Sequence, residues 1–317
     1  MQTTSKVNAV LLAGDRRASI ALHNENKAFL NLRGKPLFIH VLEALLRAEH
    51  VGEVVIVGPR ERLIQSLEIF GISEDVAVVE QRENMIENFK VGYVCSLGLD
   101  ETQEFWNLKG SGYESTPVLV VPCDIPMLLA EEVDEFLNRA NMHEYDYSIG
   151  VTSKKILRYY HPHGDTPGIR MIYFHVKEDL MRHNNLHVAK PLMLDHLDYI
   201  EKMYEWRYQT RLANIVRVFF SALTHGFRFA KGLRVFIVMQ LSLYYDRHGH
   251  PKLADRIRSI AGFNRLSEGI GNVLGARVQV VYTHFGGAAL DADNEKDLAV
   301  MDRRFDEWIN YQKNLYS

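Results

Sequence analysis

Over the first 150 residues, short unbroken apolar runs alternate with segments whose apolar positions recur every three or four residues. Asn8–Ala13 is such a run and ends at Gly14. Glu53–Val57, stopped by Gly58-Pro59, repeats the form, as do Val76–Val79 and Val118–Val121, the last ended by Pro122. Runs this short, without polar alternation, are the pattern of strands covered on both faces. Between them, Pro36–Glu49 carries Leu37, Val41, Leu45 and Ala48 at helical spacing, with proline in the first turn. Arg60–Phe70, Asn84–Gly98 and Glu131–Ala140 read as further helices, and Tyr145–Val151 as a strand. Strands separated by helical segments predict parallel βαβ units, hence a doubly wound, mostly parallel α/β sheet with helices on both faces.

The pattern changes beyond residue 150. Arg158–Gly168 is rich in turn formers and histidine, Ile169–His175 reads as a strand, and His183-Asn184-Asn185 as a loop. From Pro191 to about Leu274 the spacing is nearly all helical. Ala276–Tyr282 returns as a strand, and Asn294–Tyr311 as a closing helix. The organisation expected is a Rossmann-like core formed by 1–190 and 275–317, with a helical insertion, 191–274, before the last strand.

The 317 residues are 47% hydrophobic and 24% charged, which excludes a disordered chain. A net charge of −3 gives no electrostatic reason for a nucleic-acid partner. Two cysteines, Cys95 and Cys123, can build neither a disulfide framework nor a four-thiolate zinc site, and they point to a reducing compartment. The N-terminus lacks the form of a secretory signal, and no run of about 18 uncharged apolar residues occurs, so a cytoplasmic location is expected. The insertion departs from this neutral picture. Arg207 to Arg234 hold six Lys/Arg and no acidic residue, with aromatic and aliphatic side chains between them. Such a segment suits peripheral contact with an anionic membrane through 207–245, a roof over an anionic substrate, or a packed lid or homodimer element.

Candidate chemistry gathers where strands end, which is where ligands sit in open α/β sheets. The first strand runs into Leu12-Ala13-Gly14-Asp15-Arg16-Arg17. Gly14 would let backbone N–H groups approach a phosphate that Arg16 and Arg17 could neutralise; a plain turn with two solvated arginines is the ordinary alternative. Asp124 follows a buried strand directly, and a carboxylate there is costly unless paired. A hard divalent cation, Mg²⁺, is a natural partner, and a helix N-cap the bland one. Asp291 and Asp293 lie after the last strand and before the closing helix, so that two distant carboxylates could converge on one metal. His161/His163 and His183/His187 are closely spaced, but no carboxylate or thiol completes a zinc set.

The segment NKAFLNLRGKPLFIHVLEALLRA, from Asn26 to Ala48, places Lys27 before an apolar step and a Gly-Lys-Pro helix start. With AVLLAG before it, VPCDIPM around Asp124 and ALDADNEKDL around Asp293, it resembles the nucleotidyltransferase family of sugar-phosphate nucleotidyltransferases and molybdenum-cofactor guanylyltransferase-like proteins. That family's opening pattern is roughly LAGGxGxRM…KxLLxLxGKPLIxHVLEAL. Here Asp15 stands for the second glycine, the later glycine is absent, and Asn294-Glu295 replaces Thr-Pro in the closing motif. The resemblance implies transfer of NMP from an NTP to a phosphorylated or phosphonate acceptor, with release of pyrophosphate. It implies Lys27, helped by Arg16 and Arg17, on the nucleotide phosphates. It implies Leu12, Ala13 and Gly14, with Gln81, Asn84 and Asn88, around the nucleotide. Arg170, Asn185 and Lys190 would face the small anionic acceptor, and Asp124 and Asp293, with Asp291 in reserve, would hold Mg²⁺. Two other classes stay open at this point: a nucleotide-sugar-dependent glycosyltransferase and a non-catalytic nucleotide-binding or scaffold protein.

Overall fold

Ala9, Val10 and Leu11 are fully buried because β1 (Val7–Leu12) lies inside the sheet with helices on both of its faces. The computed structural model describes residues 6–14, 26–72, 74–197 and 228–315. After β1 come a hairpin of β2 (Asn31–Leu32) and β3 (Lys35–Pro36), α1 (Leu37–Arg47), β4 (Val51–Gly58), α2 (Arg60–Phe70), β5 (Ala77–Glu80) and α3 (Met85–Ser96). The chain continues through β6 (Val118–Pro122), α4 (Ala130–Arg139), β7 (Tyr147–Ser153), the short α5 (Lys154–Leu157), β8 (Phe174–His175) and β9 (Leu180–Ala189). It closes with α6 (Arg228–Arg247), α7 (Pro251–Arg258), α8 (Phe263–Leu274), β10 (Val278–Thr283) and α9 (Glu295–Asn314).

The main sheet has the order β10-β7-β9-β6-β1-β4-β5, with β8 added to β9. The β1–β4, β4–β5, β1–β6 and β7–β10 pairs are parallel, while β9 runs antiparallel to both β6 and β7. Successive side chains of a strand serve opposite faces. Leu11 and Ile56 therefore pack with Phe38, Leu42 and Leu45 of α1 and Phe136 of α4, while Val10, Val55 and Val57 pack with Val91 and Val94 of α3. The doubly wound α/β sheet expected from the sequence is the fold found. Two local expectations are corrected. His183-Asn184-Asn185 is not a loop but the middle of β9, and the strand expected over 169–175 shrinks to Phe174–His175. Asn184 is tolerated there because its buried amide donates to Thr152 Oγ1 and Thr283 Oγ1, at 3.2 and 3.0 Å.

Helices α6 to α8 occupy the place of the expected insertion, between β9 and β10. Ser242 of α6 is fully buried; its hydroxyl donates to Ala254 O of α7 and meets His175 Nδ1 of β8 at 3.2 Å. The segment 198–227, with most of the basic stretch, lies outside the described residues.

Helix α9 binds the last loop to the core. Gln312 Oε1 accepts from Gly287 N at 2.8 Å, and its Nε2 donates to Met127 O at 3.1 Å. A Cβ on Gly287 would lie 2.1 Å from Met127 O, a backbone atom that cannot swing aside. Glu132 of α4 is fully buried beneath the same loop and accepts from Ala288 N at 2.9 Å. Its other oxygen has no hydrogen-bond partner among the described residues, and burial pushes its carboxyl up to about 8, so it is protonated at neutral pH.

Two outcomes are expected. Gly287→Ala lowers stability by about 2–3 kcal/mol through overpacking, read as a shifted denaturant midpoint with unchanged slope. Glu132 keeps in the folded state a proton that the unfolded chain releases near its ordinary value of 4.5. Its stabilising contribution is therefore complete below that value and declines until the pH reaches about 8. Urea midpoints taken from pH 5 to 8 should slope less in Glu132→Gln than in the parent protein.

Candidate functional site

Three side chains from distant parts of the chain meet past the carboxyl ends of β1 and β6. Lys27 Nζ lies 3.2 Å from Asp124 Oδ2 and 3.0 Å from Asp293 Oδ1. Each is delivered by a local device. Asn26 Oδ1 accepts from Ala28 N at 2.9 Å, capping the single turn Lys27–Phe29, while its Nδ2 donates to Ala13 O at 3.1 Å. The amide of Asn26 thus fastens the Lys27 turn to the end of β1. The β2–β3 hairpin that follows turns through Arg33 and Gly34, with φ of 54° and 85°, the left-handed pair that a tight two-residue turn needs. Asp124 leaves β6 two residues after Pro122, and its carbonyl accepts from Ala292 N at 2.8 Å. That bond brings the Asp291–Asp293 loop to the end of β6.

The electrostatics follow from burial. Lys27 is 10% exposed at its side chain and Asp124 21%, while Asp293 is half open at 50%. Burial works against the Lys27 ammonium, but Asp124 and Asp293 outweigh it and hold its pKa above the usual lysine value. Burial raises the Asp124 carboxyl, against the pull of Lys27. Burial also raises Asp293, as does the neighbouring Asp291. Two carboxylates share one ammonium, so the trio carries one negative charge in excess. Asp291 adds none, because Arg182 of β9 forms an ion pair with it at 2.5 Å and donates from Nε to Ala289 O at 3.0 Å.

The oxygen-only donor pair and the excess negative charge fit a hard divalent cation. Mg²⁺ is commonly held by one or two carboxylates together with substrate phosphates rather than by a full protein cage. Among the described residues no group of three or more His, Cys, Asp or Glu is placed to hold a metal. Asp124 and Asp293 are the two residues that would hold the ion, and Asp291 is engaged by Arg182 instead.

The residues expected around the nucleotide gather at the ends of β1 and β5. A Cβ on Gly14 would lie 2.5 Å from Asn88 Nδ2 and 3.2 Å from Gln81 Oε1, so glycine is what lets Gln81 and Asn88 close over the end of β1. Gln81 and Asn88 are both buried, and Asn88 Oδ1 accepts from Arg82 N. Leu12 ends β1 and accepts at its carbonyl from Cys123 N, while Ala13 donates to Val57 O. Asn84 is the N-cap of α3, accepting from Glu87 N at 2.9 Å. Arg16 and Arg17 lie outside the described residues.

The acceptor-side residues do not stay together. Asn185 donates to Ala288 O at 3.0 Å, on the loop that leads to Asp291. Arg170 is exposed on the surface. Lys190 is a correction. The pairing of Val118 with Ala189 puts it at the start of β6, opposite the end that carries Asp124, where it is buried and its charge helps to lower the carboxyl of Asp146. An antiparallel strand reverses direction, and the sequence reading had no such strand there. The expected histidine pairs resolve structurally. His183 and His187 sit on one side of β9 with rings 4.8 Å apart, and His187 Nδ1 meets Tyr147 OH at 2.8 Å. His161 Nε2 meets Tyr173 OH at 2.6 Å.

Sequence reasoning missed Asn26 and Arg182. Asn26 had a signal, since an Asn directly before a short helical turn is a preferred cap. Arg182 had none, because its partner is 109 residues away.

No curated protein matches the chain. Among solved structures, a hypothetical transferase from Thermus thermophilus is 20% identical, covers 92% of this chain and 99% of its own, and has a TM-score of 0.53, a likeness of fold. A CMP:2-keto-3-deoxy-manno-octonic acid synthetase in complex with CTP is 13% identical, with 96% and 99% coverage and a TM-score of 0.47. The 4-diphosphocytidyl-2C-methyl-D-erythritol synthase of Anaerococcus prevotii is 10% identical, with 96% and 97% coverage and a TM-score of 0.47. The family model of the MobA-like NTP transferase domain matches residues 9–224, which include Lys27, Asp124, Gln81 and Asn88. The chain therefore belongs to the MobA-like NTP transferase domain family and is a nucleotidyltransferase of the NTP transferase type.

Proposed function

We propose that the protein transfers a nucleotidyl group from an NTP to a small phosphorylated or phosphonate acceptor and releases pyrophosphate. The observation that carries this reading is the trio of Lys27, Asp124 and Asp293 at the carboxyl end of the sheet. An acceptor oxygen forms a new bond to the α-phosphorus, and the bond from that phosphorus to the bridging oxygen of the β-phosphate breaks. The leaving pyrophosphate takes the electron pair. A phosphate or phosphonate acceptor is already ionised at neutral pH, so no general base is required. Bound by Asp124 and Asp293, Mg²⁺ would supply electrostatic stabilisation of the charge on the α-phosphate.

The remaining work falls to the chain's own groups, which position reactants and neutralise charge. Lys27 presents a permanent cation to the triphosphate. Arg16 and Arg17, next along the chain from Gly14, are assigned to the leaving pyrophosphate. The closed cluster of Gly14, Gln81 and Asn88 is assigned to base and ribose. Asn185 is assigned to the acceptor side, with the exposed Arg170 as a second candidate. Arg182 holds the loop that carries Asp293 through its contacts with Ala289 O and Asp291, and so acts as a positioning residue.

Incubation with each of the four NTPs, Mg²⁺ and a panel of phosphorylated metabolites should release pyrophosphate with at least one pair. Release of a nucleoside diphosphate from a nucleotide sugar, with none from any NTP, would replace this reading with the glycosyltransferase one. Asp124→Asn should lower pyrophosphate release by about 100-fold or more while the thermal transition is kept, in line with loss of a preorganised electrostatic contact. Full turnover in that variant would remove Asp124 from the site. Lys27→Ala leaves two carboxylates facing each other without a cation. It should cost about 2 kcal/mol of stability by chemical denaturation as well as activity, a cost kept modest by the exposure of Asp293.

A further inference from the structure

Twelve large apolar side chains are exposed among the described residues, and six of them fall between residues 236 and 260. On α6, Ile237, Leu241 and Tyr244 follow one another at four- and three-residue steps, which puts them on one helical face, and they are 43%, 45% and 54% exposed. Arg234, three residues before Ile237, falls on the same face and is exposed. Phe236 flanks the face. The opposite side of the helix is the packed one: Val235 and Ser242 are buried there. On the adjoining α7, Leu253 is exposed beside the exposed cations Lys252 and Arg256, and Ile260 is exposed just beyond the helix.

Charge sets this region apart from the rest of the chain. Residues 228–260 contain seven Lys/Arg and two Asp, a net of +5 in a protein whose overall charge is −3. Of the two acids, Asp255 pairs with Arg258 at 2.9 Å, while Asp246 lies 3.8 Å from His175, whose pKa burial lowers. No helix among the described residues is long and apolar enough to cross a membrane. Exposed aliphatic and aromatic side chains at helical spacing, with cations in excess beside them, are the chemistry of a helix lying in a bilayer interface. The cations then attract anionic headgroups while the apolar side chains enter the acyl boundary.

We infer that the exposed face of α6, centred on Ile237, Leu241 and Tyr244 and edged by Arg234, docks on an anionic lipid surface. Each cation brought near such a surface raises partitioning by about five-fold, so the interaction is weakened by salt.

The test is co-sedimentation of the full chain with vesicles of phosphatidylcholine alone and of phosphatidylcholine with phosphatidylglycerol. Binding to the anionic vesicles should exceed binding to the neutral ones by at least ten-fold at low salt and collapse at high salt. Ile237→Glu with Leu241→Glu should abolish it with an unchanged circular dichroism spectrum. If that pair perturbs folding, Arg234→Ser and Tyr244→Ser, each tested singly, should still weaken binding several-fold. Asp124→Asn should pellet as the parent does, which separates failure of docking from failure of nucleotidyl transfer. Equal recovery in both supernatants, or binding that none of these substitutions changes, overturns the inference. So does a concentration-dependent dimer, without vesicle binding, that the glutamate pair converts to monomer.

Discussion

Two carboxylates compete for one ammonium, and the site is organised around that imbalance. Asp124 and Asp293 are separated from Lys27 by 97 and 266 residues, so the contact can exist only once the sheet is closed. Burying Lys27 and Asp124 costs several kcal/mol before they attract each other, and hydrophobic residues of the same size would pack at lower cost. A charged arrangement at this point is what the proposed triphosphate and its cation require. The unbalanced charge then marks the side on which the ligand's own cation would complete the set.

The loop that brings Asp293 to the trio is held from four directions. Ala292 donates to Asp124 O, Arg182 clamps Asp291 and Ala289, Asn185 donates to Ala288 O, and Gln312 of α9 takes Gly287 N. Glu132 reaches the same loop from beneath through Ala288 N. Such convergence restrains the backbone that carries the Asp293 carboxylate. It also explains why a fully buried glutamate sits under the loop. Glu132 provides an acceptor for a backbone donor that would otherwise be buried without one.

Much of the core was legible in the sequence because its signals are local. The apolar runs at Asn8–Ala13 and Val118–Val121 and the helical spacing from Leu37 to Leu45 need no distant partner to declare themselves. Asp124 and Asp293 were legible as candidates through their position after strands and through the family pattern, and Lys27 through the family pattern alone. Strand β9 was not legible. His183, Asn184 and Asn185 carry the composition of a turn, and they sit in a strand where Thr152 of the adjacent β7 and Thr283 of β10 beyond it satisfy Asn184. That is a tertiary fact, and the misplacement of Lys190 follows from it. Arg182 was invisible for the same reason, since an arginine beside a histidine and two asparagines reads as solvated until its carboxylate arrives from the far end of the chain.

The antiparallel placement of β9 has a mechanical consequence. Among the described strands, β6 and β7 are not neighbours; each is hydrogen-bonded to β9, which stands between them. The half that carries β1, β4, β5 and β6 is therefore laced through the sheet to the half that carries β7 and β10 by one ten-residue ribbon. That same ribbon carries Arg182 near its start, the side chain that anchors the Asp293 loop. A relative shear of the two halves would have to slide along β9, the strand that carries Arg182 and, through it, a hold on the Asp293 loop. The seam of the sheet is thus also the tether of its chemistry.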